Sequence, residues 1–106
     1  MKIMNLTPHV LNIVAADGTV VNIEPSGIVP RVSSSQEIVE EINGISIFHE
    51  VFGDVIDLPQ PEEGVMFVVS RLVASAVKGR NDILVPGNLL RNEQGQVIGA
   101  NGLARL

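Results

Sequence analysis

A serine and an arginine lie where an apolar run ends and a helical pattern begins. Val65 to Val69 are apolar without interruption, which predicts a strand buried on both faces. Ser70 is a residue type that caps helices, and Arg71 follows it in the first turn. Helix-end amides, a hydroxyl and a guanidinium together suit a phosphate or a carboxylate. We therefore expect an anion site at Ser70 and Arg71. The alternative is that Ser70 only caps the helix and Arg71 points to solvent.

Three further arginines are candidates for the same ligand. Residues 66–106 carry five basic and two acidic side chains, a net charge of +3, against −8 for residues 1–65. Arginine can hold a phosphate or a carboxylate with two parallel hydrogen bonds. We therefore predict ligand contacts from Arg80, Arg91 and Arg105. Ordinary surface charge is the alternative, and Arg80 is close enough in sequence to Asp82 to pair with it across a turn.

A threonine and a histidine flank a proline near the start of the chain. Thr7 and His9 lie on either side of Pro8, which interrupts regular strand pairing and indicates a bend. We predict both as polar ligand contacts, although a lone histidine is more commonly a structural residue. No spacing of His9 and His49 with nearby carboxylates indicates a metal site. We expect no catalytic residue, no metal and no cofactor.

The composition excludes several other classes of site. A chain of 106 residues with 45% hydrophobic side chains suits one domain, residues 1–106. The absence of cysteine excludes disulfides and cysteine-ligated metals. A net charge of −5 and the lack of Trp and Tyr argue against nucleic-acid partners. No apolar run reaches the ~18 residues of a membrane span, and the N-terminus lacks a signal-peptide pattern. We expect a cytoplasmic protein with no membrane partner.

The first half of the chain predicts strands. Asp17-Gly18 is a hairpin pair between strands at 10–14 and 19–23, and a third strand at 28–32 contains Pro30 and therefore lies at an edge. The segment 36–42 fits a short helix or a strand. Its β-branched residues and the following Asn-Gly pair favour two strands, at 36–42 and 45–51.

The second half predicts one short helix between two buried strands. Helical spacing of apolar residues covers about residues 71–78, with Lys78 and Gly79 at its end, and a strand at 82–86 follows. The fold class is therefore α+β, a mostly antiparallel sheet with one short helix and room for a single βαβ crossover. Such a helix cannot cover both faces of a sheet, and proline interrupts two strand edges. We therefore expect a homo-oligomer.

Five segments of the sequence also carry a family resemblance: Asn5-Leu6-Thr7-Pro8-His9, Pro25-Ser26-Gly27, Val69-Ser70-Arg71-Leu72-Val73-Ala74, Arg80-Asn81-Asp82-Ile83-Leu84-Val85-Pro86-Gly87 and Arg91-Asn92-Glu93-Gln94-Gly95. Together they resemble a group of small proteins encoded by bacteriophages and prophages. The resemblance covers nearly the whole chain and brings no assigned activity or catalytic residue.

That resemblance implies a phage setting, in which small proteins often inhibit host factors. One class resembles oligomeric sponges that sequester cyclic-nucleotide or cyclic ADP-ribose signals of bacterial immunity. We therefore expect a non-catalytic, anti-defence binder of a small phosphorylated, nucleotide-derived ligand. One alternative is a protein–protein interaction module, such as a host-factor inhibitor or a virion component. Another is a small hydrolase or phosphodiesterase with His9 as its general base.

Overall fold

Eight strands and one short helix make up the fold. The computed structural model describes all 106 residues of the chain. The elements are β1 (Lys2–Asn5), β2 (Leu11–Val14), β3 (Val20–Ile23), β4 (Arg31–Ile42), β5 (Ile45–Ile56), β6 (Val65–Val68), α1 (Arg71–Ala76), β7 (Ile83–Arg91) and β8 (Val97–Ala104). Six strands form one sheet in the order β1-β6-β7-β8-β2-β3, and β4 and β5 form a separate two-stranded ribbon. The fold therefore consists mostly of strands.

The six-stranded sheet is mixed. Strands β1, β6 and β7 are parallel neighbours, and β8 is antiparallel to β7 but parallel to β2. The β2–β3 pair is an antiparallel hairpin, as its Asp-Gly turn predicts. The expectation of mostly antiparallel pairing thus holds for the two hairpins of the sheet and for the ribbon, whereas the β1–β6–β7 part of the sheet is parallel.

The core is small and is concentrated around β6, on both faces of the sheet. The larger cluster surrounds Phe67 and Val69 and includes Val73 and Ala74 of the helix. A second cluster includes Val68, Ile13 and Ala100. Successive residues of β6 therefore point into two different clusters, which confirms the prediction of a strand buried on both faces.

The helix is shorter than predicted. Ser70 caps it, because its Oγ accepts a hydrogen bond from the backbone N–H of Val73 at 3.3 Å. Val77 is already extended and packs against the larger core cluster, so Lys78 lies beyond the helix end rather than in its last turn. Gly79 takes the expected left-handed conformation, with φ of 72°. No helix of this structure could span a membrane.

Residues 31–56 form a long hairpin, which we call the arm. Asn43 and Gly44 have φ of 52° and 78°, as a two-residue turn with positive φ at both positions requires. The arm confirms the two-strand interpretation of 36–42 and 45–51. Both strands are longer than predicted. The polar run 33–35 and the segment Phe52-Gly53-Asp54, whose residue types are typical of a turn, both lie within the ladder. No strand covers 28–30, so the predicted third strand is wrong there.

The C-terminal segment forms β8. The three-residue spacing of Gly99 and Gly102 is typical either of a loose tail or of a backbone that closely approaches a ligand or a neighbouring subunit. A side chain at position 99 would place its Cβ 2.7 Å from the carbonyl oxygen of Asn12 in β2. Gly99 therefore allows β8 to pack beside β2, and the close approach is made within the chain.

Candidate functional site

A groove of about 670 Å³ lies at the carboxyl ends of two parallel strands. Asn5 of β1 pairs with Val68 of β6, so the segments that follow these strands leave the sheet at the same edge. The first segment brings Thr7 and His9 to the groove, and the second brings Ser70. The sequence predicted these three residues as ligand contacts separately, and the parallel pairing brings them together.

Asn5 holds the first of these segments in place. Its side chain is almost completely buried, and all four of its hydrogen-bonding positions are used. Oδ1 accepts from the N–H of Thr7 at 2.9 Å and from its hydroxyl at 2.7 Å. Nδ2 donates to the carbonyl oxygens of His9 at 2.6 Å and Ile23 at 3.0 Å. Asn5 thus fixes the loop to β3. The sequence analysis missed this role, although an Asn side chain commonly accepts a hydrogen bond from the backbone N–H two residues further on, here that of Thr7.

Thr7 and His9 differ in what they can offer a ligand. Thr7 is buried, and its hydroxyl is engaged with Asn5 and with the backbone N–H of His9 at 3.4 Å. The imidazole of His9 is exposed and makes no hydrogen bond within the chain. His9 is therefore free to contact a ligand, while Thr7 mainly shapes the loop. No carboxylate forms an ion pair with the imidazole.

Ser70 and Arg71 present different groups at the β6–α1 junction. The Ser70 hydroxyl accepts the capping bond and keeps its own hydrogen free to donate. Arg71 is exposed and forms neither a hydrogen bond nor an ion pair within the chain. Ser70 lines the groove and Arg71 does not. The Arg71 side chain can contact a ligand in the groove only if it extends over the groove from its position next to Ser70.

Arg80 is held in a structural pair. Its Nε and Nη2 donate to the two carboxylate oxygens of Asp82 at 3.0 and 2.7 Å, and Nη1 donates to the carbonyl of Pro59 at 2.9 Å. The guanidinium also lies 5.8 Å from the ring centre of Phe67. The hydrogen bonds from Arg80 to Asp82 lower the pKa of the Asp82 carboxyl, and the positive charge of Arg80 adds a smaller contribution. Partial burial acts in the opposite direction and raises this pKa. This is the arrangement that the sequence left open as the alternative to ligand binding.

The remaining two arginines also bind backbone oxygens. Arg91 donates from Nη1 to the carbonyl of Gly95 at 2.8 Å and closes the turn between β7 and β8. Arg105 donates from Nε to the carbonyl of Asn81 at 3.2 Å. Neither residue lines the groove, and neither does Arg80. The structure therefore brings together the three polar candidates and leaves the four arginines outside.

The sequence analysis missed the apolar part of the groove. Leu89 of β7 and Val97 and Ile98 of β8 line it, and all three are about half exposed. Asn12 adds an exposed amide, which donates to the carbonyl of Ile98 at 3.4 Å. Nothing in these residue types indicates a site. Only the pairing of β8 with both β7 and β2 places them beside His9.

The chain shows no other obvious centre. No three His, Asp or Glu side chains lie close enough together to hold a metal ion. Comparison with known protein families, with curated proteins and with solved structures found no match for this chain. Function must therefore be inferred from the groove and from the exposed surfaces of the molecule.

Proposed function

We propose that the protein is a non-catalytic binding protein whose groove takes a small phosphorylated, nucleotide-derived ligand. The observation that carries this proposal is the convergence of Thr7, His9 and Ser70 at the carboxyl ends of β1 and β6. Sheets with parallel strands commonly bind ligands outside the carboxyl ends of those strands. In this proposal β6, α1 and β7 act as a single βαβ crossover that delivers Ser70 to the site.

The chemistry of the groove supports this ligand class. Its volume falls within the range of about 300–1,000 Å³ that is typical of small-ligand sites. The side chains of Leu89, Val97 and Ile98 suit the flat apolar face of a base. The Ser70 hydroxyl and the His9 imidazole can donate to sugar or phosphate oxygens, and Arg71 supplies the opposite charge.

The phage resemblance suggests what such binding is for. A protein of this kind acts in the host cytoplasm as a sponge that removes a cyclic-nucleotide or cyclic ADP-ribose immune signal. Sequestration needs no turnover, which agrees with the lack of an orienting partner for His9. The signal would be bound intact and released unchanged on denaturation of the protein.

Calorimetric titration with a panel of cyclic dinucleotides and cyclic ADP-ribose tests the proposal. We expect one panel member to bind, and we expect Arg71→Ala and His9→Ala each to weaken its affinity by about tenfold or more. Arg91→Ala is the matched control, because Arg91 is held in the β7–β8 turn by its hydrogen bond to Gly95 and does not follow a groove residue in sequence as Arg71 does. Unchanged affinity in both Arg71→Ala and His9→Ala would exclude this site. Turnover of the ligand that is lost in His9→Ala would instead favour a hydrolase or phosphodiesterase.

A protein–protein interaction module is the second candidate function, and the arm favours it. No residue of the arm is buried, yet the arm carries many large apolar side chains. Soluble monomers rarely leave such a surface uncovered. A host factor or a virion component would cover it in this alternative, and a partner would then be recovered by pull-down with the intact arm but not with an arm variant.

A further inference from the structure

The arm has apolar side chains on both faces. Seven large apolar residues between positions 38 and 52 are 42–66% exposed: Ile38, Val39, Ile42, Ile45, Phe48, Val51 and Phe52. Side chains alternate along a strand, so Phe48 and Phe52 share one face of β5, whereas Ile45 and Val51 share the other. The core of the chain covers neither set.

A ribbon of this kind is not expected to remain uncovered. Two-stranded hairpins are at best marginally stable in water without a surface to pack on. The arm also makes the chain elongated, with a longest dimension of 54 Å and a radius of gyration of 16.9 Å. A compact chain of this length has a radius of gyration of about 13 Å. The strands nevertheless pair along 12 residues each, which suggests that the arm is ordered for contact with a partner.

We propose that this partner is a second copy of the chain, and that the two arms pack antiparallel. The tip of each arm, the Asn43–Gly44 turn, then lies against the base of the other, the end at which Arg31 pairs with Ile56. This arrangement is a symmetric dimer, the commonest form of homo-oligomer. The Phe48–Phe52 faces pack together along the arms. The second face of each tip reaches the α1 helix of the other copy, where Leu72 is 50% exposed.

The charges along the arm favour this orientation. Two carboxylates, Glu40 and Glu41, lie next to the tip, while Glu37 and Glu50 lie at the middle of the arm. Three positive charges lie near the base: Arg31, Arg71 at the start of α1, and Lys78 shortly after its end. The helix α1 packs against both strands of the arm. Asp54 and Asp57 offset two of these three positive charges, so the base remains positive. None of these groups forms an ion pair within the chain.

Antiparallel packing brings the acidic tip to the positive base twice in one dimer. Parallel packing would instead place Glu40 and Glu41 of one tip against the same two carboxylates of the other, which is unfavourable.

Light scattering and sedimentation at several protein concentrations test the proposal. We expect the wild type at about 100 µM to have twice the chain mass of 11.3 kDa. The exposed-face variant Phe48→Ser/Phe52→Ser should be a monomer whose body remains folded, as shown by a cooperative thermal unfolding transition. Both residues are exposed in the single chain, so the sheet should fold without them. A monomeric wild type, or a dimeric Phe48→Ser/Phe52→Ser variant, would overturn the proposal.

Charge reversal tests the tip-to-base orientation. The tip variant Glu40→Lys/Glu41→Lys and the base variant Arg31→Glu/Lys78→Glu should each raise the dimer dissociation constant by about tenfold or more at low salt. An equimolar mixture of the two should recover the dimer, because each reversed tip then meets a reversed base. Glu24→Lys/Glu93→Lys changes the same number of carboxylates away from the arm and should dimerise normally. Wild-type dimerisation of both charge variants, or a mixture that stays monomeric, would overturn the orientation.

The base variant leaves Arg71 and the groove intact, so failure of the ligand proposal and failure of the dimer proposal can be distinguished. A tip variant that loses the dimer and keeps its ligand affinity would support the dimer proposal independently of the ligand proposal. Ligand titration of the tip variant therefore accompanies the mass measurement.

Discussion

The arm and the body of this protein, which is all of the chain outside positions 31–56, carry similar apolar side chains but differ in whether those side chains are buried. All 15 buried residues lie outside positions 31–56, and most of them belong to the clusters around β6. The arm has similarly apolar residue types but buries none of them. Hydrophobic content alone therefore does not create a core. A buried side chain also needs a second layer, which the sheet and the helix provide in the body and which the single chain does not provide for the arm.

The two regions also differ in how they use polar groups. In the body, Asn5, Thr7, Arg80 and Asp82 are tied into local networks, and no buried side-chain polar atom lacks a partner. In the arm, the charged side chains form no ion pair and most face solvent. Substitutions in the body should therefore lower the stability of the single chain, whereas substitutions in the arm should change its association.

The largest effect should come from the centre of the body. Phe67 is the largest fully buried side chain, at 1% exposure, and it also lies beside the Arg80 guanidinium. Phe67→Ala should lower the free energy of unfolding by about 3–5 kcal/mol, because a cavity opens in the larger cluster. Urea unfolding followed by circular dichroism measures this. Phe48→Ala in the arm is the matched control, and an equal loss in both variants would contradict the contrast between the two regions.

A somewhat smaller loss should follow from removing the Asn5 side chain. Asn5→Ala leaves the carbonyls of His9 and Ile23 and the N–H of Thr7 without their partner, which should cost about 2–3 kcal/mol. The loop that lines the groove would also lose its anchor, so ligand affinity should fall with stability. Asn12→Ala serves as control, because its exposed amide makes one long hydrogen bond. Stability equal to the wild type in Asn5→Ala would show that the network is dispensable.

The Arg80–Asp82 pair should make stability depend on pH at the acidic end. The pKa of Asp82 is lowered in the folded protein from its ordinary value of 3.8, chiefly by the hydrogen bonds from Arg80. The folded state thus favours the ionised carboxylate. The stabilisation is fully present above the unfolded pKa and is lost as the pH falls through the lower, folded pKa. Asp82→Asn should therefore be less stable at neutral pH, with a smaller further loss on acidification below 4.

Thermal unfolding of both proteins between neutral and acidic pH checks this prediction. The control is Asp57→Asn, a carboxylate that forms no ion pair within the chain. Parallel pH profiles for the wild type and Asp82→Asn would show that this pair does not contribute to the acid sensitivity.

The sequence predicted local elements better than their assembly. The Asp-Gly and Asn-Gly hairpins, the Ser70 cap and the buried strand β6 depend on neighbouring residues, and the structure contains all of them. The parallel pairing of β1 with β6 joins residues more than 60 positions apart, and no local pattern encodes it. The arginines could not be sorted for the same reason. Their residue type indicated anion binding, whereas Arg80 and Arg105 donate to the carbonyls of Pro59 and Asn81, which lie 21 and 24 positions away and which only the folded chain brings within reach.

The smallest effect on the stability of the single chain should come from a substitution in the arm. This result would distinguish the arm from the body most clearly. At a protein concentration well below the dissociation constant of the dimer, Ile38→Ser should change the free energy of unfolding by no more than about 0.5 kcal/mol, because its side chain is 66% exposed. At high concentration the same substitution should lower the unfolding temperature markedly, since association no longer stabilises the folded chain. Val20→Ser, at a 60% exposed position of edge strand β3, should show no such concentration dependence. A loss in Ile38→Ser that is independent of concentration would mean that the arm is stabilised within its own chain.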